Sequence, residues 1–373
     1  MRPAWIEIDL NALRKNIRNL KACVSKNADF MGVIKADGYG HGAIKVAEIL
    51  KQEGINRFAV VMMEEGIALR RAGYAEPILI LGHTQEEDFE KTLEYELTPI
   101  VYKYSQAVQL NKIAEEMKTK AVVHIKIDTG MSRLGFTPEY KSVETIKEIS
   151  KFRNLLIEGI YTHLATADQI KSDFVKKQFE TFKEVLNGLE KDGVHIPIKH
   201  MANSAATINF PEMHFDMVRP GTSLYGLYPG PEMSAKPTVE LHPVMAIKAK
   251  LVHIKSVDTG TPVSYGGRFV TQRPSVLGVV PMGYVDGVFR QLANKGEVLI
   301  RGKRCTIVGT ICMDQFMVDI TELNEVEIGD EVVLVGQQGC DRITADEVGA
   351  NAGTISIEVV TRIGSRMPVI YRE

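Results

Sequence analysis

The chain has 373 residues, 45% of them hydrophobic and 25% charged, enough for two domains with cores of their own. A net charge of -2 gives no electrostatic ground for nucleic acid or an anionic membrane as partner, which leaves small ligands. Cys23, Cys305, Cys312 and Cys340 form no C-x-x-C pair, so neither a disulfide framework nor a zinc knuckle is suggested, and no metal is expected. Glu7 and Asp9 stand where a signal peptide needs an apolar centre. No apolar run nears the roughly 20 residues of a membrane span, so a soluble cytoplasmic protein is expected.

In chain order, "WIEIDL" reads as a strand, and from residue 30 to about 225 a short apolar run, a loop and an amphipathic helix then repeat. The strand candidates are "FMGVIKA" at 30, "FAVV" at 58, "PILILG" at 77, "LTPIV" at 97, "AVVHIKID" at 121, "LLIEGIYTHL" at 155, "IPIKHMA" at 196 and "FDMVRPG" at 215. Between them, Leu110, Ile113, Ala114 and Met117 fall on one helical face behind Ser105 as cap, and Val175, Phe179, Phe182, Leu186 and Leu189 do so behind Ser172. Eight such units predict a (β/α)8 TIM barrel over residues 10–235 rather than a doubly wound sheet.

Past "YPGPEMSAKP", residues 228–237, the hydrophobic period falls to two in "VMAIKAKLVHIKSV", "SVLGVVPMG", "EVLIRGKRCTIVGTI" and "DEVVLVG". Residues 236–373 therefore read as a mostly antiparallel β domain, which the N-terminal strand 1–9 is expected to join.

Barrel sites gather at the C-terminal ends of the strands, and here those ends carry Lys35, Lys126 and Asp128 with Arg133 beyond, His163, Asn203 and Ser204, and Arg219. The loops after strands 7 and 8, "ANSAATI" and "RPGTSLYG", are the commonest phosphate site of this fold; Ser204 offers a hydroxyl and Gly221 close approach. A phosphate site plus a strand-end lysine suggests pyridoxal 5'-phosphate (PLP), bound through the Lys35 amine. A second reading stays open. Gly38, Gly40 and Ala43 also satisfy G-x-G-x-x-A, and Glu64 follows where an acid could meet a ribose, as in a dinucleotide-dependent oxidoreductase.

Eight stretches in order, "VIKADGYGHG", "IKIDTGMSRLGF", "YTHLATAD", "ANSAAT", "MVRPGTSLYG", "VSYGG", "PMGYVDGVFRQL" and "TICMDQFMVDI", resemble the signature segments of alanine racemases over almost the whole chain. The resemblance implies a PLP-binding barrel followed by a β domain, a homodimer with shared active sites, and L- to D-alanine conversion for peptidoglycan. It implies that Lys35 anchors the cofactor and is one catalytic base, and that Tyr265, from the partner subunit, is the other. Tyr39, Ser204, Gly221 and Thr222 would contact the phosphate, with Asn203 beside them. Arg219 would face the pyridine nitrogen, and His163 would link it toward Tyr265. Lys126 matches a position carbamylated in many members, supporting Arg133 at the cofactor's phenolic oxygen and the substrate. Met313 and Asp314 match substrate-side positions, and Tyr284 and Arg290 surround the substrate path.

These residue types suit the reaction. Removing a proton from one face of Cα and returning one to the other needs two bases, and free lysine and tyrosine, with pKa values of about 10.4 and 10, must be perturbed to share protons near neutrality. An arginine at the pyridine nitrogen keeps its own proton and leaves that nitrogen unprotonated, which disfavours transamination. One position departs from the family: "TISIEVV" has Ile357 where a tyrosine is usual, so serine or broader substrates are the alternative to alanine. A non-catalytic PLP-binding barrel is a further alternative, against which Tyr265 argues.

Overall fold

The computed structural model describes residues 3–364 and 366–373. The chain forms two compact units, one of Arg14–His242, the other of the N-terminal residues through Leu13 with Pro243–Glu373. The passage 228–237 is folded rather than a linker: Pro231–Ala235 is helical, and Met233 is buried in the core of the first unit, so the division falls after His242.

Strand β1 (Ala4–Asp9) belongs to the second unit. The first unit contains β2 (Asp29–Phe30), β3 (Gly32–Val33), β4 (Phe58–Val60), β5 (Ile78–Ile80), β6 (Ile100–Val101), β7 (Ala121–Lys126), β8 (Leu155–Tyr161), β9 (Ile198–His200) and β10 (Met217–Val218). β2 and β3 are two halves of one barrel strand. β3, β4 and β5 pair in parallel, a Leu79–Thr98 bridge continues toward β6, and β6 to β9 pair in parallel in turn. Arg219 N donates to Ala202 O, and β10 pairs with β2, closing the ring. This is the eight-stranded parallel barrel that the alternating pattern predicts. The strands are short and apolar because helices cover them outside and side chains fill them inside. Phe58–Val60 and Ile78–Ile80 accordingly have every residue buried.

The helices follow their periodicity more closely than their caps. In Asp173–Lys191, Val175, Phe182 and Leu189 are buried, with Phe179 and Leu186 packed at the margin. Ser172 stands at the N-cap, yet its hydroxyl pairs with Thr166 Oγ1 at 2.9 Å instead of a helix amide. Ser105 is not a cap: the helix spans Tyr104–Glu116 with Lys103 before it. Its buried face is Gln106, Ala107, Leu110 and Ala114, leaving Ile113 and Met117 partly buried.

The second unit continues with β11 (Met245–Lys250), β12 (His253–Val257), β13 (Pro262–Val263), β14 (Phe269–Val270), β15 (Ser275–Val280), β16 (Glu297–Ile300), β17 (Lys303–Val308), β18 (Phe316–Asp319), β19 (Glu331–Gln338), β20 (Asp341–Ile343) and β21 (Val369–Arg372). Its main sheet runs β12-β15-β18-β17-β16-β19-β11-β1-β21. All its pairs are antiparallel except β1 with β21. β1 alternates buried Ala4, Ile6 and Ile8 with Trp5, Glu7 and Asp9, as a strand with one covered face does. Met1 and Arg2 of the expected 1–9 strand lie outside the described residues. Two helices, Ala345–Ala352 and Ser356–Thr361, were not expected from the period-two pattern. Among the described residues no helix is long and apolar enough to cross a membrane.

Candidate active site

Lys35 opens a backbone feature that a strand-to-helix reading misses. Ala36, Asp37, Gly38, Tyr39 and Gly40 all have positive φ, 51°, 51°, 61°, 55° and 80°, forming a left-handed turn before the helix Ala43–Gln52. For Ala36, Asp37 and Tyr39 that geometry costs roughly 1–2 kcal/mol each, so surrounding contacts must hold it. Asp37 Oδ1 accepts from Ala43 N at 2.8 Å, and Glu65 Oε1 accepts from Ala36 N at 2.5 Å. The other Glu65 oxygen takes the Val61 and Met62 amides at 2.8 and 3.1 Å, so one carboxylate joins the ends of two βα units. Glu65 was not singled out from the sequence; its position three residues into a helix after a strand reads only as a capping acid. Gly38 and Gly40 thus shape the lysine turn, and Glu64 is exposed in the first turn of the helix Met63–Arg71, so the dinucleotide reading is lost with the open sheet it requires.

Burial and the nearby Arg133 charge hold the Lys35 ammonium below the usual lysine pKa, against the opposing pull of Glu65. Lys126, at the end of β7, is buried, donates to Ile127 O at 2.8 Å and lies 5.0 Å from the centre of the Tyr161 ring. Desolvation, then the Arg219 charge, push it down to about 7. Asp128 does not serve as its partner through a hydrogen bond. Its carboxylate accepts from the backbone amides of Gly130, Ser132 and Arg133 at 3.0, 3.0 and 3.1 Å, fixing the loop that carries Arg133. Those bonds outweigh burial and hold the Asp128 carboxyl low.

Arg219, directly after β10, is 3% exposed. Its guanidinium donates to Thr162 O and His200 Nδ1, both at 2.9 Å, and to Met201 O at 3.3 Å, lies 3.5 Å from His163 Nδ1, and stacks 4.9 Å from the Tyr161 ring centre. Burial lowers it to about 10, which leaves it charged at neutrality. Burial and then the Arg219 charge keep His163 neutral, well below the usual histidine range.

The expected phosphate loops converge. Ser204 Oγ accepts from Gly221 N at 2.9 Å and Ser223 N at 3.3 Å, binding the two loops to each other. A Cβ on Gly221 would lie 2.7 Å from Tyr39 Oη, so only glycine leaves that phenol in place. Burial pushes the Tyr39 phenol up to about 12, against a hydrogen bond with Thr222, so it stays protonated at neutrality. Ser223 Oγ is buried without a hydrogen-bond partner, an orphan beside the cradle. Asn203 differs from expectation: its carboxamide caps the helix Ser204–Asn209, accepting from Ala206 N at 3.1 Å. Cationic Arg219 and Lys35, hydroxyls from Tyr39, Thr222 and Ser204, and the close glycine suit a phosphorylated, electron-poor ring, so these residues fit PLP.

In the second unit, a cluster of loops holds the remaining residues. Tyr265 begins the turn Tyr265–Gly267 after Ser264 at φ 65° and is 74% exposed. Its carbonyl accepts from Thr310 Oγ1 at 2.9 Å, and Ser264 Oγ donates to Thr310 O at 2.5 Å. Tyr284 N donates to Cys312 O at 3.1 Å and Val285 N to Met313 O at 3.2 Å, so the Tyr284 and Met313 segments run backbone against backbone. Met313 is 51% exposed. Asp314 is engaged by Arg366 at 2.8 Å. Arg290 stands 5.9 Å from the Tyr284 ring centre and lines, with Arg268 and Arg362, an open cavity of about 680 Å³. Ile357 lies half-buried in the helix Ser356–Thr361.

Comparison with known proteins agrees with both units. Residues 8–229 match the family model "Alanine racemase, N-terminal domain" and residues 244–371 match "Alanine racemase, C-terminal domain". The chain is 45% identical over 371 residues to an alanine racemase of Carboxydothermus hydrogenoformans, covering 100% of both chains. It superposes with a TM-score of 0.94 and 40% identity on an alanine racemase of Clostridium difficile 630, covering 100% of this chain and 96% of that one. An alanine racemase from Bartonella henselae with covalently bound pyridoxal phosphate aligns at a TM-score of 0.90 and 31% identity over 100% of both chains. With both domains matched and a closed parallel barrel in the first, the chain belongs to the alanine racemase family.

Proposed function

We propose that the protein is a PLP-dependent racemase of L- and D-alanine, acting as a cytoplasmic homodimer in which Lys35 of one subunit and Tyr265 of the other are the two bases. The observation that carries this is the Lys35 turn closing, through its Tyr39 phenol, on Gly221 and the Ser204-joined loops of one barrel rim, an arrangement suited to a phosphate beside a lysine amine. Four free cysteines suit a reducing compartment, and the D-alanine formed would serve peptidoglycan. Bound here, PLP would supply an electron-withdrawing ring that acidifies the hydrogen on the substrate's Cα.

The residues divide the remaining work. Tyr39, Ser204, Gly221 and Thr222 would hold the phosphate, and Arg219 would donate to the ring nitrogen. Arg133 would orient the substrate carboxylate and the phenolic oxygen, with Met313 and Asp314 of the partner bounding the substrate. Lys35, anchored by the Glu65-held turn, would take or return a proton on one face of Cα at its Nζ. Tyr265, exposed on its own subunit, would do so on the other face at its phenol oxygen. Tyr284 and Arg290 would flank the substrate path. Absorbance of the cofactor-loaded protein, its loss on borohydride treatment, and exchange of the Cα hydrogen with deuterated water test this. Cofactor uptake without exchange would leave a PLP carrier.

Lys126 fits a carbamate. At a pKa of about 7 its amine is largely neutral in mildly alkaline solution and can attack carbon dioxide, forming an N–C bond and releasing a proton to water. The resulting anion would sit among the Arg219 and Arg133 charges that now repel an ammonium. Incubation with 13C-bicarbonate is expected to give a carbamate resonance that Lys126→Met lacks. Without carbon dioxide, stability should rise from pH about 7 to 10.5, where the unfolded chain binds the lysine proton and the folded one does not. Lys126→Met should remove that rise.

Serine or broader specificity is the second reading, favoured by Ile357. A tyrosine there could hydrogen-bond the phosphate, a contact worth about 0.5–1.5 kcal/mol, so its loss spares binding while altering a pocket wall. Ile357→Tyr is expected to raise the preference for alanine over serine by several-fold, read as the ratio of kcat/KM values. An unchanged ratio would remove Ile357 from the specificity argument.

A further inference from the structure

Below Arg219, a row of polar side chains crosses the barrel interior and ends in a carboxylate. Arg219 Nη1 lies 2.9 Å from His200 Nδ1, His200 Nε2 2.8 Å from His124 Nδ1, and His124 Nε2 2.9 Å from Glu158 Oε2. The second Glu158 oxygen accepts from Arg57 Nη1 at 3.2 Å. Arg219 and His200 stand at the C-terminal ends of β10 and β9, while Arg57 precedes β4, so the row passes from the active-site rim toward the opposite end. His124, His200 and Arg219 are buried.

The chain's local structure is shaped around this row. In the β7–β8 ladder Val123 pairs with Ile157 but His124 with Gly159, so Glu158 is the extra residue of a β-bulge, and bulges re-aim side chains. A Cβ on Gly159 would lie 2.5 Å from His124 Cε1 and Nδ1, so the glycine is what admits the imidazole. Tyr161 stacks on His200 with centroids 4.8 Å apart and planes at 14°.

Chemistry fixes the direction of every bond. An arginine has only donors, so His200 Nδ1 must accept and its proton must sit on Nε2; His124 Nδ1 then accepts from it, and His124 Nε2 donates to Glu158. Burial, and the positive charge of Arg219, keep both rings neutral, with Glu158 pulling the other way on His124. Arg219 thus meets neutral acceptors, and its counter-charge lies two rings away, already shared with Arg57. A carboxylate placed directly on Arg219 would orient it equally well but neutralise it.

Resting on the reading that PLP occupies this rim, we propose that Glu158, His124 and His200 are positioning residues, which aim Arg219 at the cofactor's ring nitrogen while leaving its positive charge unneutralised. The row acts through Arg219 and touches neither substrate nor cofactor.

Two measurements test this separately. In protein labelled with 15N-histidine and free of cofactor, NMR is expected to find His200 and His124 both protonated on Nε2 and neither titrating between about pH 6 and 8. Glu158→Gln should move the His124 Nε2 proton upfield and carry the His200 resonance with it. A proton on Nδ1 of either ring, or a change confined to His124, would overturn the row as a coupled unit. In protein loaded with PLP carrying 15N in its ring, Glu158→Gln should shift the ring nitrogen's resonance and weaken cofactor binding by about two- to tenfold, the range of one lost hydrogen bond. An unmoved ring resonance would overturn the reach to the cofactor. Should Glu158→Gln fail to fold, Arg57→Gln, on the half-buried far end, is expected to shift the same resonances in the same order. Failure of the unaltered protein to take up PLP would defeat the functional reading and the cofactor half of the proposal, and the tautomers would still decide the row.

Discussion

Lys35→Ala is expected to abolish racemisation in both directions, by at least about 10³-fold, because on the proposed reading it would remove the covalent anchor and one base together. The fold should survive, since the lysine follows β3 on a turn held by Glu65 and Asp37 rather than by its own side chain. Three readouts separate this from general damage. The visible absorbance of bound PLP should be lost, borohydride should no longer fix the cofactor, and a small primary amine should restore part of the exchange at Cα. Retention of racemisation within tenfold would remove Lys35 from the mechanism.

Tyr265→Phe has the second largest expected effect, and it is directional. The substitution removes one hydroxyl from a ring that is 74% exposed on the single chain, so stability of the isolated fold should be unchanged. Catalysis should fall by about 10²- to 10⁴-fold, the usual contribution of a positioned acid or base. Because Lys35 still serves its own face, Cα exchange with deuterated water should persist for one enantiomer far better than for the other. Equal losses of exchange for both enantiomers would make Tyr265 a packing residue and not a base.

Much of this was legible in the sequence because parallel strands covered on both sides leave dense apolar runs, and each of the eight runs became a barrel strand. Strand ends were legible too: Arg219, Ser204 and Gly221 come together because the loops after adjacent strands must meet on one rim. What escaped were features set by geometry rather than pattern. Nothing in "KADGYG" distinguishes a left-handed turn from an ordinary glycine loop, since the contacts that hold Ala36 and Asp37 at positive φ come from Glu65, in another βα unit, and from the Asp37 bond to Ala43 N. Glu158 and His124 look like polar interruptions of two strands until the bulge turns them toward each other. Asn203 was drawn toward the cofactor by its place in "ANSAAT"; its carboxamide oxygen caps the following helix, accepting from Ala206 N. Ser105 failed as a cap because the helix begins one residue before it.

Mixing the two inactive proteins tests most directly that an active site is built from two copies of the chain. Lys35→Ala and Tyr265→Phe proteins, dissociated together and reassociated, should form dimers in which the unaltered Lys35 of one copy meets the unaltered Tyr265 of the other. With random reassortment about a quarter of the wild-type sites are competent, so about a quarter of the wild-type activity should return. Activity no greater than the sum of the separate variants, in samples shown to contain mixed dimers, would contradict the shared site.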